Sequence, residues 1–275
     1  ARSVQQVLTQ TGLAKSVQVT NVSGAGGTIA AARLAQAKPD GHTLLMHHIG
    51  LAAAATLYRK LPFSVTESFA PLGLASEAAM TLVARPDFPA ADFPGFMAEI
   101  QRRGGDLTLA HSGLGGANQL CGMLLQQAAG TALTAVPYRG SAPALADLVG
   151  GQADLMFDNL PSALPHIKAG KLRALGLTSA QRLPGVDIPT FKEQGIDLVL
   201  ANWRSVVAPP GISPEQRKVL SDAVEKMVKS DAWKEILKQK GWDDAYLGGD
   251  AFADFLKTEI ARVTEVLKSV GLVKS

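Results

Sequence analysis

Two segments of this chain share one build, and that build restricts the fold more than any other feature: an apolar run, a short glycine-rich loop, then a helical pattern. The first is Val17 to Val22, Gly24-Ala25-Gly26-Gly27 and Thr28 to Ala37; the second is Leu107 to His111, Ser112 to Gly116 and Ala117 to Ala129. A strand that hands over to a helix through a tight loop is the unit of parallel α/β sheets joined by crossover helices. Meeting that unit twice predicts an α/β chain in two lobes. Between the two copies, Lys38-Pro39-Asp40-Gly41 has turn chemistry, with Pro setting φ and Gly accepting positive φ. Strands are expected at Thr43 to His47 and Met80 to Arg85, and Gly104-Gly105 reads as the break after which the pattern restarts.

Beyond the second loop, strands are expected at Thr134 to Pro137, Ala153 to Phe157 and Leu172 to Leu177, the last two flanking a short helix from Ser162 to Lys168. Ser141 reads as an N-cap, with Pro143 tolerated in the first turn of its helix. The last third is helical. Ser213-Pro214-Glu215-Gln216 is a capping box, a shorter helix follows near Asp231 to Lys240, and a final helix from Asp250 carries a stripe from Phe252 to Val270 before Gly271 ends it.

Composition removes several function classes. The chain has 275 residues, 47% of them hydrophobic and 19% charged, which is the balance of a folded globular protein. Its formal charge of +3 comes from dispersed Lys and Arg, so no nucleic-acid partner is expected. Apolar runs such as Leu51 to Leu57 are too short to span a bilayer, and Ala1 to Gln10 has no hydrophobic signal core, so any export signal is expected to have been removed already. A single cysteine, Cys121, permits neither an internal disulfide nor a cysteine-ligated metal, and its apolar surroundings suggest packing.

Motifs for catalysis are missing as well. Neither glycine loop completes G-x-G-x-x-G, because the third position falls on Ile29 or Asn118, and no phosphate loop, G-x-S-x-G elbow, S-x-x-K or H-E-x-x-H is present. His47 and His48 are adjacent on an expected strand, where neighbouring side chains point to opposite faces, so they should not share a metal. No cofactor and no metal are expected, and no catalytic residue is assigned.

What remains are candidates for binding. In parallel α/β sheets ligands sit beyond the carboxyl ends of the strands, and the free N–H groups at helix starts attract anions, so each glycine loop is either a carboxylate cradle or only a tight turn. Asp158 could pair with an amino or hydroxyl group of a ligand or cap the next helix. Arg139 could clamp a carboxylate or lie on the surface, while His111 is expected to be a satisfied structural histidine.

Taken in order, several segments resemble one family, the periplasmic receptors of tripartite tricarboxylate transporters. They are Ser23 to Gly27, Lys38 to Leu45, Leu57-Tyr58-Arg59-Lys60-Leu61-Pro62-Phe63, Phe69 to Gly73, Pro137 to Ala144, Gly150 to Asp158, Gly170 to Leu175, and Asn202-Trp203-Arg204 leading to Ala208-Pro209-Pro210-Gly211. The resemblance implies a two-lobed type II periplasmic-binding fold of the Venus-flytrap kind, with parallel-rich sheets, crossover helices and two strands passing between the lobes. It implies a monomeric periplasmic protein that holds a small organic carboxylate in the cleft between its lobes and delivers it to membrane transporter subunits. Mono-, di- and tricarboxylic, amino and aromatic acids all fall within that class. By matching segments, the implied contacts are Gly24, Ala25, Gly26, Gly27 and His48, then Ser112, Gly115, Gly116, Ser141, Ala142 and Asp158, with Trp203 at the crossover.

Two departures bear on those expectations. Gln119 stands where the family commonly has His, which should alter hydrogen bonding near the second loop. The family also begins with a strand ahead of its first helix, whereas Ala1 already lies in that helix, so one strand and part of the carboxylate site are expected before residue 1. The expected lobes are 1–104 with 204–275, and 105–203. An enzyme on the same scaffold and the effector domain of a transcription regulator are the competing readings; turnover of candidate acids would separate the enzyme from a receptor.

Overall fold

The alternation read from the sequence is realised in two α/β units of a computed structural model, whose described residues are 1–22, 24–58, 60–90, 92–269 and 271–272. In chain order the elements are α1 (Arg2–Gln10), α2 (Thr28–Ala35), β1 (Leu45–His48), α3 (Gly50–Leu57), β2 (Ala70–Ser76), β3 (Met80–Ala84), α4 (Phe93–Arg103), β4 (Thr108–His111) and α5 (Ala117–Ala129). They continue with β5 (Thr134–Pro137), α6 (Ser141–Val149), β6 (Leu155–Asn159), α7 (Leu160–Lys168), β7 (Arg173–Leu177), β8 (Arg204–Ala208), α8 (Pro214–Lys229), α9 (Asp231–Lys240), β9 (Leu247–Gly248) and α10 (Gly249–Ser269).

The first unit comprises Ala1–Glu77 and Trp203–Thr264. Its strands lie in the order β1-β8-β2-β9, and every ladder among the described residues is antiparallel, which corrects the expectation of parallel pairing here. The sequence hid β2 because Pro71 and Gly73 read as turn residues. They sit instead at a register shift against β8, where a Cβ on Gly73 would come within 3.1 Å of the Leu247 carbonyl. Val7 of α1, Val224 and Met227 of α8, and Trp233 of α9 bury against Leu72, Ala75, Val206 and Ala208 of this sheet. The capping box expected at Ser213 is present, with both the Ser213 side chain and the Gln216 side chain closing their bonds.

The second unit is Ala78–Asn202 with Glu265–Leu272, and its strand order is β5-β4-β6-β3-β7. One continuous sheet thus runs through Met80, Leu109 and Phe157, and the first crossing of the chain falls at Glu77–Ala78 rather than at Gly104–Gly105. The physical reason is β3: all five of its residues are buried, and it has ladder partners on both edges, β6 and β7. Gly104, at φ 49°, ends α4 and nothing larger. The second crossing lies at Asn202–Trp203.

Val17 to Val22 forms no strand ladder. An alternating pattern is not enough for a strand, which also needs a neighbour to share its hydrogen bonds. By contrast, the turn at Lys38 to Gly41 forms as expected, with Gly41 at φ 79° and the His42 N–H donating to Asp40 Oδ1 at 2.9 Å. Val270, on the expected stripe of the last helix, lies outside the described residues.

One consequence of the second sheet matters most. β4 is parallel to both β5 and β6, so these three strands run in one direction and hand over to α5, α6 and α7 at the same edge.

Candidate functional site

At that edge of the second unit, β4 ends at His111 and residues 112–116 turn into α5. Gly113 and Gly115 have φ of 120° and 77°, a backbone region that side chains disfavour. Gly116 has an ordinary φ of −70°, and its need is spatial: a Cβ there would lie 2.9 Å from Ser112 Oγ and 3.1 Å from Asn118 Oδ1. Those two side chains are bonded. Ser112 Oγ donates to Asn118 Oδ1 at 2.5 Å, and Asn118 Nδ2 donates to Ser141 Oγ at 3.3 Å, which ties the first turn of α5 to that of α6.

The sequence reading missed Asn118. The available signal was a polar residue, now 3% exposed, in the first turn of an otherwise apolar helix after a glycine loop. Ser141 is not the N-cap of α6. Gly140, at φ 113°, holds that position, so Ser141 is the first helical residue and its hydroxyl serves Asn118 instead. Ser141 and the exposed Ala142 both carry N–H groups of a first turn, which find no partner within the helix. The Gly115 N–H is committed, because Gln119 Oε1 accepts it at 2.7 Å.

Asp158 lies inside β6, opposite Thr81, rather than after the strand. It is fully buried, and neither carboxylate oxygen has a hydrogen-bond partner in the structure. Burial pushes its pKa up to about 6, with the neighbouring Asn159 and Ser141 partly opposing the rise. The alternative role as a helix cap is not taken up: Asn159 is the residue at the N-cap of α7, and no side chain caps that end.

In the first unit the second cluster of expected residues comes together. Gly24, Ala25, Gly26 and Gly27 have φ of 120°, 46°, 62° and 91°, so the whole loop lies in left-handed territory before entering α2. A Cβ on Gly27 would stand 2.8 Å from His47 Nε2, and one on Gly50 would meet both the His48 ring and, at 3.3 Å, the Gly26 carbonyl. His48 Nδ1 accepts the Gly50 N–H at 3.0 Å. Burial, followed by the nearby His47 and Arg204, lowers the His48 pKa to about 3, so its ring is neutral and carries its proton on Nε2 as a donor.

The two histidine rings do not diverge as strand alternation predicts. Their centroids lie 4.9 Å apart at the end of β1, where the chain turns into α3 through Ile49 at φ −48° and ψ −24°. Arg204, the ladder partner of His48, stacks over Trp242 at 4.5 Å, and burial lowers its pKa to about 10, which leaves it cationic.

Trp203, expected at the ligand, has partners within the first unit. It is 1% exposed, packs against Phe252 and Phe255, and donates its indole N–H to Glu259 Oε2 at 3.0 Å, so its one polar atom is spent inside the first unit. His111 is buried with Nδ1 beside the Gly113 backbone, Arg139 is exposed, and Cys121 is buried in α5. Ser23 lies outside the described residues. Among the described residues there is no group of three metal-ligating side chains, and no helix is long and apolar enough to cross a membrane.

Comparison with known proteins gives this geometry a context. The profile described as "Tripartite tricarboxylate transporter family receptor" matches residues 1–272. A protein of Agrobacterium vitis, "UPF0065 protein in the TAR-I ttuE-ttuC' intergenic region", is 38% identical over 231 residues, which is 83% of this chain and 66% of the relative. Among solved structures, the periplasmic binding protein BugD superposes with a TM-score of 0.92 at 32% identity, covering 100% of this chain and 93% of its own. MatC (Rpa3494) from Rhodopseudomonas palustris with bound malate gives 0.89 at 32% identity, over 97% and 92% of the two chains. R. palustris Rpa4515 with adipate gives 0.91 at 30% identity, over 98% and 91%.

Proposed function

The chain belongs to the receptor family of the tripartite tricarboxylate transporters, and we propose that it is an extracytoplasmic protein that captures a small organic carboxylate and delivers it to membrane transporter subunits. The observation that carries this reading is the meeting of two helix starts, α5 and α6, through the Ser112–Asn118–Ser141 bonds. First-turn N–H groups and the positive ends of helix dipoles favour an anion at that point. Similar proteins hold malate and adipate, both small carboxylates.

On this reading the protein works in the periplasm as a monomer, without cofactor, and leaves its ligand chemically unchanged. Within the second unit Ser112, Gly116, Ser141, Ala142 and Asp158 are the candidate ligand contacts; within the first, taken by itself, they are Gly24 to Gly27 and the His48 Nε2–H. A ligand bound only by the native state adds RT ln(1 + [L]/Kd), about 2.7 kcal/mol at a hundredfold excess over Kd. Thermal unfolding against a panel of mono-, di- and tricarboxylates should therefore show a selective rise in Tm, and the bound acid should be recovered intact. If every acid fails while sugars or metals stabilise the protein, the carboxylate reading is wrong.

A further inference from the structure

We propose that Asp158 sets the specificity of the site by taking a hydrogen bond from a hydroxyl or amino group of the solute, so that hydroxy- and amino-carboxylates are favoured over plain acids of the same length. This rests on the reading of the 112–116 and α6 region as a carboxylate site. An ionised carboxylate offers about four acceptor positions and no donor, and buried polar groups are normally satisfied. The Ser112 hydroxyl and the Asn118 amide are committed to Asn118 and Ser141, and the donors beside Asp158, Ser141 and Asn159, close no hydrogen bond to either of its oxygens in the structure. Both Asp158 oxygens remain without a partner in a fully buried residue.

A plain carboxylate arriving there brings only acceptors and a second negative charge. It can stay beside Asp158 only if one proton is shared between them. A hydroxyl or ammonium group supplies the missing donor directly. No neighbouring charge does this instead. The titratable groups on the elements packed against β6 are His111 on β4, Cys121 on α5, Asp147 on α6, and His166 and Lys168 on α7, while β3 carries none. Burial, and not any of these charges, holds Asp158 at about 6. Asp147 is occupied by the Tyr138 hydroxyl at 2.9 Å. Malate carries a hydroxyl and adipate does not, so both kinds of acid occur among similar proteins and the choice belongs to the individual chain.

Titration calorimetry of the whole chain with matched pairs tests this: malate or aspartate against succinate, and citrate against tricarballylate. At least one hydroxy or amino acid should bind about tenfold or more tightly than its plain partner, because a site built to bond a donor rejects the analogue that lacks it. Asp158→Asn should erase most of that preference, since its amide can donate to a plain acid. Between about pH 7.5 and about pH 5 the affinity for aspartate should fall in the parent as Asp158 gains its proton, and fall less in Asp158→Asn. As a check on folding, the variant should gain stability relative to the parent as pH rises from about 3, where Asp158 is neutral in both folded and unfolded chains, to about 7, where burial of the ionised carboxylate burdens only the parent. If acids bind but plain and donor-bearing ones bind alike, or if Asp158→Asn keeps the preference, this inference falls and the carboxylate reading survives. Should no acid of either kind bind, both fall together.

Discussion

Gly116 and Asn118 stand so close that a Cβ on the glycine would lie 3.1 Å from the asparagine Oδ1. The same Cβ would lie 2.9 Å from Ser112 Oγ, so any side chain at position 116 pushes on the hydrogen bond that joins Ser112 to Asn118. The backbone there, at φ −70°, tolerates any residue, which makes the effect one of space alone. Gly116→Val should abolish ligand binding while circular dichroism shows the fold intact. Ser112→Ala removes one hydrogen bond without filling space and should cost about 1–3 kcal/mol of binding. Combined with Gly116→Ala it should relieve the crowding, so the double variant should bind better than the two single losses predict when measured by calorimetry.

Gly27 presents the opposite case, in which backbone and space both demand glycine. Its φ is 91°, and a Cβ would meet His47 Nε2 at 2.8 Å. Gly12 shares the positive φ, 70°, with nothing within 4 Å of the added atom. Replacing Gly12 by Ala should therefore cost only the left-handed penalty, about 1–2 kcal/mol. Gly27→Ala should cost that and about 1–3 kcal/mol more for overpacking against a buried ring. Urea unfolding of the two variants compares them directly, and equal losses would show that the His47 contact yields without cost.

Trp203 provides a test of stability against recognition. Its indole N–H reaches Glu259, whose carboxylate also accepts two bonds from Arg262, at 2.7 Å through Nε and 2.9 Å through the terminal nitrogen. Trp203→Phe keeps the aromatic packing on Phe252 and Phe255 and deletes the donor. Stability should drop by about 1–3 kcal/mol, with affinity for the carboxylate ligand unchanged. A loss of affinity at unchanged stability would return Trp203 to the ligand.

The elements read correctly from the chain are those whose cause is local. α5 begins after Gly116 and ends before Gly130, in the left-handed conformation at φ 62°, as its glycines predict. α8 begins with a capping box whose two bonds span three residues. The glycine loops were legible for the same reason, because a run of glycines states its own backbone conformation. Ser141 shows where even local reading slips by one position, since Gly140 with φ 113° takes the cap and frees the serine hydroxyl for Asn118.

What the amino-acid sequence determined by itself was the α/β class, the helix starts and the two glycine loops, which rest on residues within a few positions of each other, and the family, which rests on short segments recurring in order along the chain. Tertiary structure alone decided which strands pair. Ser76 faces Arg204, and Met80 bonds with Thr178, across separations that no local pattern encodes. That pairing placed β3 in the second unit, left Val17 to Val22 without a ladder, and spent the Trp203 N–H on Glu259. It also buried Asp158 with no hydrogen bond closed on either oxygen, because hydrogen-bond supply at a site is counted over everything the fold brings there, and a sequence shows only the demand.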